Sequence, residues 1–403
     1  MCTNLTLHVP QRPGQSDPRI YVSARCMEMP GIIEQAAYVM PKGQQFPLAA
    51  PNPPSPPPFD VPDPYSWSNR YNFVGIAASD SWLSLPNFND GLNECGLGVG
   101  ALWLQPGTTY PTTPQPGTQG VSFLDFPAWI LGTCQFVGDV KNAITGASPT
   151  ITVIGPQDLP NSDFVPLHYV VTDATGESII VEFVDGETRV HVSPNGVMTN
   201  APTYEWQSKN VGNFANLQLV GAATSTTGNT TVGGQLLGLP GDSLPASRFI
   251  RAWYLSQGFH ELEKAGTPWL PAPAPLKAGQ PEGFSGPEQT AVVVALQLVQ
   301  ICMGTPYGML LEQPSPPATG DPAPPPTYGD YTMWTSVRDH TNLKYYWVGA
   351  FSGVLNSVSF SEIDFPANAG YPGAFSLQIL PQPANFPWAI NVSNQIPHVP
   401  DNG

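Results

Sequence analysis

The second residue of the chain is a cysteine, and its position can supply a nucleophile and a base together. Cys2 directly follows Met1, and a residue this small permits removal of the initiator methionine. The thiol would then share its residue with a free α-amine. Such an amine has a reference pKa of about 7.7–8.0, so a useful fraction is unprotonated at neutral pH and can accept the thiol proton. On position alone, an ordinary structural cysteine remains the simpler interpretation.

Four other polar residues have spacing or placement that could matter chemically. Arg25 and Glu28 are three apart in the β-rich run at 19–29, so they should face opposite ways unless a bulge intervenes. Asn200 ends a strand before Ala-Pro, where turn chemistry is the usual reason for an asparagine. Arg248 falls in the first turn of a predicted helix, where its charge opposes the macrodipole. That unfavourable place suggests that Arg248 serves a site elsewhere.

The common motifs of other chemistries do not occur. The sequence has no G-x-S-x-G elbow and no H-E-x-x-H, and its six histidines are scattered singly. The five cysteines form no C-x-x-C pair, so neither a disulfide framework nor a zinc knuckle is indicated. We therefore expect no metal and no cofactor, and the free thiols suggest a reducing compartment.

Charge and hydropathy restrict the partners. The 30 acidic and 14 basic residues give a net charge of −16, which would repel nucleic acid and anionic membrane surfaces. The amino-terminal stretch lacks the basic and apolar regions of a secretory signal. The longest apolar run, at 291–303, is too short to span a bilayer. These features predict a cytoplasmic protein without nucleic-acid or membrane partners.

The patterned segments predict strands before and after a group of helices. Strands are expected at 19–29 and 97–104, and the small residues of the second suggest that a neighbouring backbone approaches closely. Two meanders are expected, at 167–193 and 331–363. Helices are expected at 126–144, 244–266 and 285–304, the last with Ser285 and Glu288 spaced as a capping box. This order is typical of an α+β fold with antiparallel sheets covered by helices.

Six motifs in a fixed order carry a resemblance to a known family. They are "MCT", "ARCME", "DGLNECGLGVGALWL" (90–104), "LHYVVTDATGESIIVE" (167–182), "GVMTNAPTYEWQ" (196–207) and "LPGDSLPASRFIR" (239–251). The chain thereby resembles the choloylglycine hydrolase family, which includes bile salt hydrolases and penicillin V acylases and belongs to the N-terminal-nucleophile hydrolases. The resemblance implies a four-layer αββα sandwich formed by one domain over 1–403. The Pro-rich segments 46–64, 268–283 and 313–330 would be surface loops, and 381–403 a tail.

The resemblance also implies roles for individual residues. Cys2 would be the nucleophile and its α-amine the base, with Arg25 beside the thiol. Asn200 would donate to the oxyanion from its side chain, and Arg248 would support the electrostatics of the site.

Two positions depart from the family pattern. Glu28 stands where aspartate usually orients the amine, and it is one methylene longer, so it needs a shifted backbone or another rotamer. Trp103 stands where the family has asparagine or tyrosine, and its backbone N–H would be the second oxyanion donor. Its bulky indole would change the pocket wall and favour a flat aromatic or apolar acyl group over a bile salt.

The implied activity is hydrolysis of linear, non-peptide C–N amide bonds in a small N-acyl amide, of the conjugated bile salt or penicillin V type. Two alternatives remain: an acylase for other N-acyl amines such as acyl-homoserine lactones, and a non-catalytic binding protein with the same fold. The segment 207–239 is nearly as long as the family loop that clasps a neighbouring subunit, so we expect a homo-oligomer, either a tetramer or a dimer.

Overall fold

The described part of the chain contains twenty strands and five α-helices. The structure is a computed structural model that describes residues 2–9, 19–30, 35–47, 65–78, 87–155, 166–219, 222–226, 229–233, 236–264, 287–303, 310–312, 328–350, 354–363, 365 and 375–378. The strands are β1 (Cys2–Val9), β2 (Ile20–Pro30), β3 (Gln35–Met40), β4 (Gln45–Phe46), β5 (Trp67–Ser68), β6 (Phe73–Ala78), β7 (Asn87–Asn93), β8 (Gly98–Trp103), β9 (Gln119–Ser122), β10 (Ile151–Ile154), β11 (Leu167–Thr172), β12 (Ser178–Val184), β13 (Glu187–Val192), β14 (Ala222–Thr226), β15 (Asn229–Gly233), β16 (Leu310–Glu312), β17 (Tyr328–Asp339), β18 (Lys344–Gly349), β19 (Asn356–Ser359) and β20 (Phe375–Gln378). The helices are α1 (Phe126–Thr133), α2 (Val137–Thr145), α3 (Tyr204–Asn210), α4 (Pro245–Lys264) and α5 (Pro287–Met303).

The first large sheet has the amino-terminal strand at one end. Its order is β1-β2-β17-β18-β19, with β16 also paired to β17, and neighbouring strands are antiparallel. A backbone bridge joins Asn4 of β1 to Met198, with N–H to carbonyl distances of 2.8 and 3.1 Å. This bridge brings the segment that contains Asn200 beside the start of β1.

The second large sheet has the order β13-β12-β11-β8-β7-β6-β3-β20. Strand β8 pairs with β11 along its whole length, up to Trp103, but with β7 only from Gly98 to Gly100. Beyond Gly100, one edge of β8 is therefore no longer paired with β7. That edge faces the candidate site.

The two sheets stack face to face, and helices cover their outer faces. Leu5 and Val22 of the first sheet share a buried apolar cluster with Phe249 of α4 and Ala295 of α5. On the second sheet, Val99, Ala101 and Tyr169 pack in another cluster with Phe126, Ile130 and Leu131 of α1. A third cluster joins Val74 and Ile76 of β6 to Trp334 of β17. The layers are helix, sheet, sheet and helix, which confirms the predicted αββα sandwich.

Most elements that the sequence predicts are present. Both meanders form, as β11-β12-β13 and β17-β18-β19, and two of the predicted helices correspond to α4 and α5. The helix predicted over 126–144 is wrong as a single helix, because the chain is extended at Cys134. The Asp139 carboxylate accepts the N–H groups of Gln135 and Phe136, at 2.9 and 3.1 Å. These bonds satisfy donors at the start of a new helix, so α2 begins there.

Several predictions concern residues outside the described part. They include most of the Pro-rich segments 46–64 and 313–330, all of 268–283, the tail 381–403, and Ser285 of the proposed capping box. Glu288 lies in the first turn of α5, and its carboxylate accepts hydrogen bonds from Lys344 Nζ and Tyr346 Oη. In the segment 207–239, β14 and β15 pair as an antiparallel hairpin. None of the helices in the described ranges has the length and hydropathy of a membrane span.

Candidate active site

Cys2 lies at the start of β1, buried to 5% exposure, and three polar side chains contact it. Its backbone N–H donates to Asn200 Oδ1 at 2.8 Å. Its Sγ lies 3.6 Å from Arg25 Nη2, and its carbonyl accepts a hydrogen bond from Arg248 Nη1. A thiol, a backbone nitrogen and three donor or acceptor groups therefore meet at one residue.

Arg25 crosses the space between the two sheets. Its Nη1 donates to Asn89 O at 2.6 Å and to Asp90 Oδ2 at 3.2 Å, and its Nη2 donates to Ala101 O. Burial lowers the pKa of Arg25, but the negative groups at Cys2 and Asp90 more than offset this, so its pKa stays above the ordinary value. The guanidinium remains charged and stabilises negative charge on the Cys2 sulfur.

Asp90 is the centre of a buried charge cluster behind Arg25. Its carboxylate accepts hydrogen bonds from both Arg25 and Arg338, and also from Ser336 and Tyr345. Arg338 continues to Asn4 Oδ1 at 3.1 Å, so the cluster connects both sheets to β1. One carboxylate thus balances two buried cations. This pairing matters because a buried charge without a partner is strongly destabilising.

Gly100 makes room for these arginines. A Cβ on this residue would lie 2.8 Å from Arg338 Nη2 and 3.2 Å from Arg25 Cδ. The small residues of β8 were expected to admit a neighbouring backbone. At Gly100 they admit arginine side chains instead, because the opposite sheet projects its charged residues into this space.

Arg248 joins Cys2 to Asn200 from the helix side. In addition to the Cys2 carbonyl, its Nη1 donates to Thr3 Oγ1 at 2.8 Å, and its Nη2 donates to Asn200 Oδ1 at 2.7 Å. Its Nε donates to Ser243 O at 3.0 Å. Burial lowers the pKa of Arg248 from its ordinary value, while nearby Glu28 and cysteine thiols oppose that effect.

Glu28 lies on the opposite face of β2 from Arg25, as their spacing predicts. Cys2 pairs with Met27, so Glu28 is one register position beyond Cys2. Its Oε1 accepts a hydrogen bond from Thr332 Oγ1 at 3.0 Å. Burial raises the pKa of Glu28 from 4.5 to about 7, although positive charges nearby, Arg248 among them, oppose the rise. Arg25 contacts the Cys2 sulfur from one face of β2, and Glu28 lies on the other face, next to the start of β1.

Trp103 and Asn200 meet at the free edge of β8. Leu104 N–H donates to Pro166 O on the β11 side, and successive N–H groups of a strand alternate in direction. Trp103 N–H and its carbonyl therefore point to the edge that β7 has left. There the Trp103 carbonyl accepts from Asn200 Nδ2 at 2.8 Å. The Trp103 N–H therefore lies along this edge between its own carbonyl and the carbonyl of Ala101, which accepts a hydrogen bond from Arg25.

The indole of Trp103 does not share this position. Along β8, Val99 and Ala101 pack on the α1 face of the sheet, whereas Leu102 packs with the cluster that contains Cys2. Side chains alternate along a strand, so the indole lies on the α1 face, where its Nε1 donates to Gln105 Oε1 at 3.1 Å. The backbone of Trp103, and not its ring, is therefore what the strand directs toward the site.

The structure thus brings five of the six predicted residues together. Around Cys2 lie Arg25, Trp103, Asn200 and Arg248, each of which contacts Cys2 or a neighbour that contacts it. Glu28 lies beside them, within electrostatic reach of Arg248. Sequence reasoning missed Thr3, Asp90 and Arg338. Asp90 begins one of the six quoted motifs, which was the signal that could have identified it, and Arg338 is a charged residue in the meander predicted at 331–363.

Comparisons with known proteins identify the family of the chain. The model of the linear amide C–N hydrolases, choloylglycine hydrolase family, matches residues 59–266. A bile salt hydrolase/transferase of Clostridium perfringens is 32% identical over 187 residues, which cover 44% of this chain and 55% of that protein. A penicillin V acylase of Pectobacterium atrosepticum is 25% identical over 306 residues, covering 75% of this chain and 70% of that protein.

Solved structures show the same fold. A mutant conjugated bile acid hydrolase of Clostridium perfringens superposes with a TM-score of 0.65 at 20% identity, covering 94% of this chain and 96% of that one. The penicillin V acylase of Agrobacterium tumefaciens gives 0.60 at 19% identity, with 92% and 89% covered. The matched region spans only about half of the length of the first relative above. With the family model matched over more than half of its residues, the chain belongs to the choloylglycine hydrolase family of linear amide C–N hydrolases.

Proposed function

We propose that the protein hydrolyses linear N-acyl amides with Cys2 as the nucleophile and the α-amine of Cys2, freed by removal of Met1, as the base. One observation carries this proposal: Arg25, Asn200 and Arg248 converge on the sulfur, the nitrogen and the carbonyl of the same buried residue. Three such contacts from β2, the segment after Met198 and α4 are more than the packing of an ordinary cysteine requires.

The reaction begins with transfer of the thiol proton to the amine. The thiolate then attacks the carbonyl carbon of the substrate, and the carbonyl oxygen becomes an oxyanion. Asn200 Nδ2 carries two protons and gives one to the Trp103 carbonyl, which leaves the second for the oxyanion. Trp103 N–H is the other donor. The loss of one such donor typically costs about 2.7–4 kcal/mol of transition-state stabilisation.

The second half of the reaction returns the site to its starting state. The protonated amine gives its proton to the leaving nitrogen as the C–N bond breaks, and the acyl group remains on Cys2 as a thioester. Water attacks the thioester while the amine accepts its proton, which releases the acid and restores the thiol. Arg25 stabilises the sulfur anion, and Arg248 holds Asn200 Oδ1 so that its Nδ2 keeps its direction.

The substrate class is proposed from the named relatives, which are bile salt hydrolases and penicillin V acylases. A panel of glycocholate, penicillin V and a long-chain acyl-homoserine lactone, assayed by amine or acid release, separates the two named types from another N-acyl amine. Turnover of the lactone alone would replace the proposed substrate class with the acylase alternative.

The nucleophile is tested by Cys2→Ala and Cys2→Ser, each assayed with intact-mass analysis to confirm that Met1 has been removed. We expect no detectable hydrolysis by Cys2→Ala and a large loss with Cys2→Ser, since an alcohol is a weaker nucleophile than a thiolate. Cys134→Ser is the matched control, because this buried cysteine lies in the α1 cluster on the far side of the second sheet. Full activity of Cys2→Ala, or wild-type protein inert toward the whole panel after Met1 removal, would refute the proposal.

The homo-oligomer and the cytoplasmic location stay predictions. Sedimentation velocity of the purified chain, compared with a variant in which the β14-β15 hairpin is shortened, tests whether the segment 207–239 holds subunits together.

A further inference from the structure

A buried histidine lies behind the segment that contains Thr199 and Asn200, and it takes no part in the mechanism above. His168 lies on β11 with 1% exposure. Its Nδ1 is 3.1 Å from Glu182 Oε1, and its Nε2 is 2.9 Å from the Thr199 carbonyl oxygen. Thr199 directly precedes Asn200, so this ring contacts the backbone that carries an oxyanion donor.

The two contacts determine the charge of the ring. A carbonyl oxygen can only accept, so His168 Nε2 must carry a proton. Glu182 Oε1 also accepts the N–H of Tyr204 at 2.8 Å, at the start of α3, which favours its ionised form. The Glu182 carboxylate already accepts from Tyr204 and lies 3.1 Å from Nδ1, so a proton on Nδ1 gives both atoms of this contact a partner. The two contacts thus fit an imidazolium in a buried ion pair.

His168 also connects the two halves of the oxyanion hole. In the ladder between β8 and β11 it pairs with Leu102, the residue before Trp103. Its backbone is thus tied to the strand that carries one donor, and its side chain holds the residue before the other. Two further contacts of this segment come from Gln207 Nε2, which donates to the Asn200 carbonyl at 3.3 Å, and from Thr199 Oγ1, which donates to Pro245 O at 3.0 Å.

We propose that His168, held as an imidazolium by Glu182, is a positioning residue that sets the distance between Trp103 N–H and Asn200 Nδ2. The inference rests on the proposed function, because it takes these two groups as the oxyanion donors. A cation is suited to this role, since hydrogen bonds from charged donors are shorter and stronger than neutral ones. Without it, the carbonyl of Thr199 would be a buried acceptor lacking its partner, and the segment would shift to satisfy it.

The kinetic test compares His168→Gln and Glu182→Gln with His191→Gln. His191 lies on the neighbouring strand β13, and its Nε2 is 3.6 Å from Glu182 Oε2, so the control changes a histidine beside the same carboxylate. We expect kcat to fall by about 100-fold in His168→Gln while KM changes little, because a misplaced oxyanion donor affects the transition state. Glu182→Gln should fall in the same direction, and His191→Gln should keep kcat.

A spectroscopic test judges the charge without any activity. In protein labelled with 15N-histidine, the signal assigned to His168 by its loss in His168→Gln should show both ring nitrogens protonated at pH 7.5. A bare ring nitrogen on His168 would overturn the proposal whatever the activity of the variants. So would a kcat for folded His168→Gln within twofold of wild type. Inert wild-type protein would instead refute the proposed function, and the protonation measurement would still decide the state of His168.

Discussion

Replacing Glu28 by glutamine should stabilise the protein at alkaline pH and leave its stability nearly unchanged in acid. Burial raises the pKa of this carboxyl from 4.5 to about 7 in the folded chain. The folded state therefore binds a proton more tightly than the unfolded state. The unfolding free energy contributed by Glu28 is full below pH 4.5 and is lost as the pH rises to about 7.

The size of the effect follows from the same two values. Each tenfold change in acidity corresponds to about 1.4 kcal/mol, so ionising Glu28 in the folded protein costs about 3 kcal/mol. Glutamine keeps the shape of the side chain and can still accept from Thr332 Oγ1, but it has no charge to bury. The stability gained by Glu28→Gln over wild type should therefore grow by about 3 kcal/mol between pH 4 and pH 8.

Urea unfolding at several pH values between 4 and 8 measures this difference. Glu177→Gln is the control, because Glu177 is exposed and its replacement should give a difference that does not change with pH. A Glu28→Gln difference that stays flat, or that shrinks as the pH rises, would show that the charges around Glu28 outweigh its burial. The family resemblance gives Glu28 the position that orients the Cys2 amine, so the same variant should lose activity while it gains stability.

Two further substitutions examine the buried arginines. Asp90→Asn leaves Arg25 and Arg338 without their shared carboxylate, and we expect a loss of about 3–5 kcal/mol of unfolding free energy in urea; a loss below 1 kcal/mol would mean that the two cations find other partners. Arg248→Lys keeps the charge but cannot reach three acceptors at once, as the planar guanidinium does. It should lower kcat/KM by at least about tenfold in the amide-hydrolysis assay, and unchanged kcat/KM would show that the charge alone suffices.

The local elements could be predicted from the sequence because their signals are local. Alternating residues and turn sequences predict the meanders β11-β12-β13 and β17-β18-β19, and both form. Helix α5 was predicted from its flanking residues and its apolar run. The break between α1 and α2 was missed. Asp139 stabilises this break by accepting a hydrogen bond with its side chain, but in the sequence it looks like any other helical residue.

The candidate site could be predicted only in part. The ordered motifs indicated which residues lie at the site, and the spacing of Arg25 and Glu28 indicated that they lie on opposite faces of their strand. They did not indicate the interaction of Arg25 with Asp90 or the direction of the Trp103 side chain. The pairing of Trp103 with Leu167, and the early end of the β7 contact, decide which group of Trp103 faces Asn200. Such pairings depend on strands far apart in the chain.

By itself, the sequence determined the family, the α+β class and the identity of the residues around Cys2. The tertiary structure alone decided how they contact one another. Asn200 and Arg248 are 198 and 246 residues from Cys2 along the chain, and the packing of two sheets and a helix brings them together. Local propensity carries no information about such distances, because it reflects neighbours within a few residues, whereas the site is formed where separate elements pack.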